Sequence, residues 1–224
     1  EYYGLRNYEH LKKVLRSNVY VRRIKEDPAV GLELPSKTWL TIEFDPIRKK
    51  RGKKDVGAED LHFQAVEQSL GQEKIQVTKE WMSGLLEDGL QLLVFAVYRA
   101  TITQFLNDYS NYNPGCIYGG MTGTERSKAI DDFNASRTPL LCCQIVSGGV
   151  GLNLQKSCHT IVFLESNYSA SDVLQASDRV HRIGQKYPVT IYFPVVRGSR
   201  DELRIRECVE KARMQDRLLG EEHL

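Results

Sequence analysis

The residues from Gln175 to Gln185 have the types and the spacing to bind a phosphate chain. If this segment is helical, Gln175, Asp178, Arg179 and Arg182 fall at positions i, i+3, i+4 and i+7 and share one polar face. Two guanidinium groups one turn apart, beside an amide and a carboxylate that can fix their rotamers, suit phosphate oxygens. The alternative is a solvated surface with i, i+4 pairs. We favour phosphate binding, because a surface needs no such helix at the mouth of a sheet.

A second stretch, Tyr118-Gly-Gly-Met-Thr-Gly123, comes directly after a predicted strand and before a predicted helix. Glycines let backbone N–H groups approach a ligand, and a helix N-terminus favours an anion such as phosphate. Taken alone, the stretch is more consistent with a tight turn than with a phosphate site.

The third stretch is Ser147-Gly-Gly-Val-Gly-Leu-Asn-Leu154, which again follows an apolar run. Its three glycines, with Ser147 and Asn153, indicate a cradle for the phosphates of a nucleotide or of a nucleic-acid strand. It matches neither the P-loop pattern nor the dinucleotide-binding fingerprint.

These stretches lie between short apolar runs and helical segments that alternate from Gln91 onward. Such runs are typical of strands buried on both faces of a parallel sheet, and the alternation predicts a doubly wound α/β fold with helices on both faces. The predicted strands are Leu92–Val97, Gly115–Tyr118, Leu140–Ile145, Thr160–Leu164 and Val189–Val195, and the predicted helices are Ala100–Tyr109, Glu125–Ala135, Asp172–Arg182 and Asp201–Leu219.

Three helix starts have the spacing of a capping box, in which a hydroxyl caps the third N–H and a carboxylate reaches back. The pairs are Thr122 with Glu125, Ser169 with Asp172, and Ser199 with Glu202.

The segment before Gln91 is less regular. Thr38–Phe44 alternates like a strand, and the predicted helices are Tyr8–Leu15, Glu59–Leu70 and Lys74–Leu86. Six basic residues crowd into Arg48–Lys54. A solvated loop, a phosphate contact and a nuclear-import signal all remain open for this run.

Composition limits the classes of protein. With 41% hydrophobic and 27% charged residues among 224, the chain can bury a sizeable core, and no apolar run reaches the length of a membrane span. Five cysteines without a C-x-x-C pair indicate a reducing intracellular compartment, and argue against a disulfide framework or a zinc site. A start at Glu1 rather than Met indicates a piece of a longer protein.

In this order, the three stretches resemble the C-terminal helicase motifs of the Swi/Snf family of DNA-dependent ATPases. The ending H-R-I-G-Q after D-R-V separates that family from most related helicases. Leu92–Ala96 is similar to the first strand of the family's second lobe. Tyr2–Gly4, Arg22–Lys25 and Leu34–Lys37 are similar to its passage between lobes. Two residues depart from the pattern: Ser147 replaces an alanine, and Gln144 stands where the family often has serine.

The resemblance implies a RecA-like lobe over residues 73–224, preceded by the end of the first lobe and a partly helical linker over residues 1–72. It also implies ATP hydrolysis coupled to movement along double-stranded DNA. Arg179 and Arg182 would reach the γ-phosphate. Gln175 and Asp178 would position them. By the same resemblance, Gly149 and Gly151 would line the cleft between the lobes. The residues that would contact the phosphates of one DNA strand are Gly120, Thr122, Gly123, Ser147 and Asn153.

The chain has no Walker A lysine motif and no D-E-x-H box. The resemblance therefore implies that ATP with Mg²⁺ is held mainly by an N-terminal lobe, without which this chain is inactive, and no metal ligands are assigned here. Two rivals remain: a non-catalytic α/β module that binds DNA or protein, and an RNA helicase, which the H-R-I-G-Q ending disfavours. The location would be nuclear in a eukaryote, and cytoplasm or nucleoid otherwise.

Overall fold

Strands and helices alternate along most of the chain in the computed structural model, which describes residues 10, 13, 34–47, 59–145, 153–165 and 169–218. The strands are β1 (Lys37–Phe44), β2 (Leu92–Ala96), β3 (Gly115–Ile117), β4 (Leu140–Gln144), β5 (Thr160–Phe163) and β6 (Val189–Val196). The helices are α1 (Glu59–Glu87), α2 (Arg99–Asp108), α3 (Gly123–Asn134), α4 (Ala170–Ser177) and α5 (Arg200–Leu218), with a 3-10 turn at Ser110–Tyr112.

All six strands are parallel and form one sheet in the order β1-β6-β5-β2-β4-β3. The strands β2 and β5 are buried along their whole length, which is why their sequences are apolar throughout. Helices α1 and α2 cover one face, around Phe105 and Met82, and helices α3, α4 and α5 cover the other, around Phe133 and Val173. The predicted doubly wound α/β fold is confirmed.

The segment before the expected boundary at residue 72 contributes to this sheet. The predicted strand is present as β1, which pairs with β6 over eight residues, and Trp39 stacks on Phe193. The prediction of two separate helices over 59–86 was wrong, because one 29-residue helix, α1, runs through Gly71 and across the expected boundary. The basic run Arg48–Lys54 lies outside the described residues, and of Tyr8–Leu15 only positions 10 and 13 are described, both helical.

The helix predicted over Asp172–Arg182 ends much earlier, at Ser177. From there the backbone tightens, with N–H groups of Arg179 and Val180 donating to carbonyls three residues back. Contacts to distant segments replace the helical ladder, since Arg179 O accepts from Leu154 N and His181 Nε2 lies 2.8 Å from Pro35 O.

Two of the three predicted capping hydroxyls do cap their helices. Thr122 forms a full capping box with Glu125, and Ser169 accepts from Asp172 N. The third prediction was wrong. Ser199 Oγ is buried without a hydrogen-bond partner in the described part of the chain, and Glu202 Oε2 accepts from Gly198 N instead.

All five cysteines are free thiols. Burial raises the pKa of the Cys158 thiol to about 12, so this thiol stays protonated near neutral pH. Within the described helices, none is both long and apolar enough to cross a membrane.

Candidate functional site

The loops that follow the parallel strands meet at one side of the sheet, here called the carboxyl edge, where ligands of α/β folds bind. Gln144, the last residue of β4, joins two of these loops. Its Oε1 accepts from Gly119 N at 3.0 Å, and its Nε2 donates to Val97 O at 3.0 Å. The glutamine that departs from the family pattern therefore fixes the loop that carries Gly120.

The predicted DNA contacts Gly120, Thr122 and Gly123 lie at this edge, where α3 begins. Gly120 has φ +95, which favours glycine, whereas Gly123 has open space around its Cβ position. Thr122 Oγ1 accepts from Glu125 N and donates to Glu125 Oε2, and Thr122 N donates to the same carboxylate. These bonds hold the pKa of Glu125 below its ordinary value. The start of α3 thus already has a carboxylate of its own.

Beside this loop lies an exposed arginine, Arg99, which the sequence analysis did not identify. The guanidinium carbon of Arg99, at the start of α2, lies 4.4 Å from the centroid of the Tyr118 ring. This distance is that of a cation–π contact. A cation at a helix N-terminus is disfavoured by the macrodipole. That unfavourable placement is the one sequence signal that could have identified Arg99.

A buried carboxylate, that of Glu165, holds the backbone at the same carboxyl edge through hydrogen bonds. Glu165 is only 6% exposed and accepts hydrogen bonds from Val97 N, Tyr98 N and Thr101 Oγ1, at 2.9, 3.0 and 2.7 Å. Burial raises its pKa, although these hydrogen bonds and the charge of Lys74 oppose the rise. Glu165 therefore ties the end of β5 to the start of α2. Sequence reasoning missed it because its partners lie more than sixty residues away.

The arginines lie at the opposite side, the amino edge, in the segment Asp178–Gln185 that we call the arginine turn. Helix α4 runs back from the carboxyl edge, and the turn leads into β6. His181 contacts Pro35 O, just before β1, and Gln185 Nε2 donates to Cys158 O, just before β5. The expectation that this segment sits at the mouth of the sheet was wrong.

The four predicted phosphate-binding residues do not share one helix face. Gln175 is exposed on α4, Asp178 is the half-buried C-cap of α4, and Arg179 is half-buried in the arginine turn. Arg182 is exposed, and its Nη1 donates to Asn153 Oδ1 at 2.7 Å. The amide accepts a short hydrogen bond and orients the guanidinium, but unlike a carboxylate it does not neutralise the positive charge.

Asn153, which the resemblance placed on DNA, is therefore brought next to Arg182, which it placed on ATP. Ser147, Gly149 and Gly151 lie outside the described residues. The described part of the chain contains no group of three or more His, Cys, Asp or Glu side chains arranged to hold a metal ion.

Comparisons with known proteins find a family model and several relatives that are similar to this chain. Residues 73–184 match the model described as helicase conserved C-terminal domain. The chain is 31% identical over 156 residues to the CHD3-type chromatin-remodeling factor CHR7 of Arabidopsis thaliana. It is 33% identical over 146 residues to the ISWI chromatin-remodeling complex ATPase ISW1 of Saccharomyces cerevisiae. These matches cover 67% and 63% of this chain but only 13% of each relative.

The fold has a counterpart among solved structures. The crystal structure of the C-terminal part of the Fun30 ATPase domain superposes with a TM-score of 0.54 at 19% identity. The match covers 66% of this chain and 53% of the other. It supports the RecA-like architecture of the sheet and helices.

Proposed function

Because the chain belongs to the helicase conserved C-terminal domain family, as the C-terminal lobe of a Swi/Snf-type ATPase, we propose that it is one half of a DNA motor. In the complete protein, this lobe closes on an N-terminal lobe that holds ATP with Mg²⁺. Hydrolysis then drives movement along double-stranded DNA and remodels protein–DNA complexes. Relatives that are chromatin-remodelling factors support a nuclear location in a eukaryotic host.

The observation that carries this proposal is the exposure and the fixed orientation of the Arg182 guanidinium. The guanidinium is exposed and is oriented by Asn153 through a 2.7 Å hydrogen bond, with no carboxylate recorded on it among the described residues. An arginine that reaches a phosphoryl group in trans must keep its charge and its planar donor set. Arg182 fulfils both conditions, and Arg179, half-buried one turn earlier, is the second arginine of the pair.

The chemistry that this lobe supplies is electrostatic. Bound ATP supplies the phosphoryl group that is transferred to water. A guanidinium near its γ-phosphate stabilises the charge that develops on the equatorial oxygens, and such an arginine contributes about 10³–10⁵ to turnover in other phosphoryl-transfer enzymes. The DNA side needs no base recognition, because phosphate contacts position a protein without reading sequence. Gly120 and Gly123 serve this role at the carboxyl edge, where Thr122 shapes the start of α3 by donating its N–H and its hydroxyl to Glu125.

The test uses the full-length protein and its DNA-stimulated ATP hydrolysis. Arg182→Lys, and Arg179→Lys in a separate variant, are each expected to reduce turnover by about 10³-fold or more. Affinity for DNA without nucleotide and the melting temperature should stay unchanged. Near-normal turnover in either variant would remove that arginine from the mechanism. A full-length protein that lacks an N-terminal nucleotide-binding lobe would favour the non-catalytic module instead.

A further inference from the structure

Asn134, the last residue of α3, has both ends of its side-chain amide engaged. Ser157 Oγ donates to Asn134 Oδ1 at 2.9 Å, and Asn134 Nδ2 donates to the carbonyl of Asn153 at 3.2 Å. A planar amide that accepts at one end and donates at the other has a fixed orientation. It therefore holds the backbone of Asn153 in place against the end of α3.

The side chain of the same Asn153 accepts the 2.7 Å hydrogen bond from Arg182 Nη1. Asn134 is thus connected to the guanidinium through a single intervening residue. We propose that Asn134 is a positioning residue for Arg182, acting through Asn153. This inference rests on the proposed role of Arg182 at the γ-phosphate.

Arg182 needs such support because it does not lie in a helix. Helix α4 ends at Ser177, so no helical ladder fixes the direction of the arginine side chain. Long arginine side chains sample many rotamers unless a partner holds them. Small displacements of a positioned catalytic group cost large factors in rate. The bond from Asn153 therefore matters for rate more than for folding.

The stability of the fold depends little on Asn134. Its side chain is exposed, so water can replace each of its hydrogen bonds. The C-terminal carbonyls of α3 are satisfied by other groups, since Ala135 N donates to Asp131 O and Arg137 N donates to Asp132 O. An asparagine that contributes little to the fold but holds the partner of a functional arginine is best explained by that arginine.

The position of Asn134 in the molecule gives it a further connection. Helix α3 begins beside Thr122 and Gly123, the predicted DNA contacts, and ends at Asn134. Its twelve residues span about 18 Å, from the carboxyl edge to the amino edge. The same rigid element thus carries a predicted DNA contact at one end and the support for Arg182 at the other.

The experiment measures DNA-stimulated turnover of the full-length protein with Asn134→Ala. We expect turnover to fall about 10- to 100-fold, while nucleotide-free DNA affinity and melting temperature stay the same. Asn111→Ala, which changes another exposed asparagine remote from the arginine turn, should leave turnover unchanged. If Asn134→Ala melts early, Ser157→Ala replaces it, because that change frees the amide of Asn134 without touching Asn153. A loss of turnover is again expected, and normal turnover would overturn the inference.

A double-variant cycle separates this inference from the function on which it rests. If Asn134 acts through the guanidinium, Asn134→Ala should cause little further loss in a protein that already carries Arg182→Lys. A fully additive loss would overturn the inference. Normal turnover of Asn134→Ala beside a strong loss for Arg182→Lys would also overturn it, but would leave the proposed function standing. Normal turnover of Arg182→Lys alone would instead refute the role of the arginine.

Discussion

Glu125 is exposed, yet its pKa is lowered, because the backbone N–H and the hydroxyl of Thr122 both donate to its carboxylate. A carboxyl group whose pKa is lowered by folding stabilises the protein above its unfolded pKa, and that contribution disappears as the pH falls through the folded pKa. We therefore expect Glu125→Gln to lower the free energy of unfolding at pH 7. The difference from the unchanged protein should shrink below about pH 4. Urea unfolding at several pH values measures it, and a constant difference would contradict the capping role of the charge.

Gly123 allows a test of DNA contact with little disturbance of the fold. It is the first residue of α3, and a Cβ atom there would meet nothing within 4 Å. Gly123→Ala should therefore fold normally, with a helix-propensity gain of up to about 1 kcal/mol. If a DNA phosphate approaches this backbone, the added methyl should weaken duplex binding several-fold in fluorescence anisotropy. Equal affinity would remove Gly123 from the contacts. Gly120→Ala is a poorer test, because its φ of +95 strains any side chain.

Single residues could be predicted from the sequence where their partners are close in the chain. Thr122 and Glu125 are three residues apart, and their reciprocal bonds follow from that spacing. Glu165 and Gln144 could not be predicted in the same way. Their partners, Val97 in both cases, lie 68 and 47 residues away and are brought close only by the sheet.

Among the elements, α1 contains two glycines with opposite surroundings. A Cβ atom at Gly71 would overlap the carboxylate of Glu165, which three hydrogen bonds hold in place, whereas one at Gly84 would meet nothing within 4 Å. We expect Gly71→Ala to destabilise the protein by about 1–3 kcal/mol through overpacking. Gly84→Ala should stabilise it by about 0.5–1 kcal/mol. Denaturant unfolding compares them, and equal effects would show that the close approach of α1 to Glu165 is not tight.

The strands were predicted better than the helices. All six strands are found within one residue of the expected limits, both those buried throughout, such as β2 and β5, and β1, which alternates in exposure. The helix predicted over Asp172–Arg182 fails after Ser177, although its apolar residues Val173, Ala176 and Val180 are all buried. Ile183, which helical spacing would place on the same buried stripe, is 62% exposed, so the predicted burial holds only as far as Val180. The contacts with Leu154 and Pro35 that replace the helical hydrogen bonds join segments distant in sequence, so no local sequence pattern predicts them.

In the molecule as a whole, the DNA contacts predicted around the start of α3 and the predicted ATP contact Arg182 lie at opposite sides of the sheet. Asn153, also predicted to contact DNA, lies beside Arg182 instead. Gly120, Thr122 and Gly123 are at the carboxyl edge, whereas Arg182 is at the amino edge. The sequence predicted the residue types but placed the arginines at the mouth of the sheet. The separation follows from α4, which returns the chain across the sheet before the arginines are reached.

For the chain as a whole we expect weak, sequence-independent binding to duplex DNA that falls steeply with salt concentration. Replacing the six basic residues of the run should reduce the slope of log affinity against log salt by about 0.9 for each phosphate that the protein no longer neutralises. Titrations from low to physiological salt measure the slope. An unchanged slope would identify the run as a solvated loop. The replaced residues are Arg48, Lys49, Lys50, Arg51, Lys53 and Lys54.

The pairing of β1 with β6 has a consequence for how the protein is made. Lys37 of β1 pairs with Val189 of β6, so β1 leaves the ribosome about 150 residues before its neighbour exists. At roughly 5–20 residues per second, β1 waits on the order of 10–30 s for β6. Its exposed backbone groups can meanwhile pair with other nascent chains. Synthesis of this protein therefore contains a period in which a chaperone on β1 would improve the yield, and that period ends when β6 emerges.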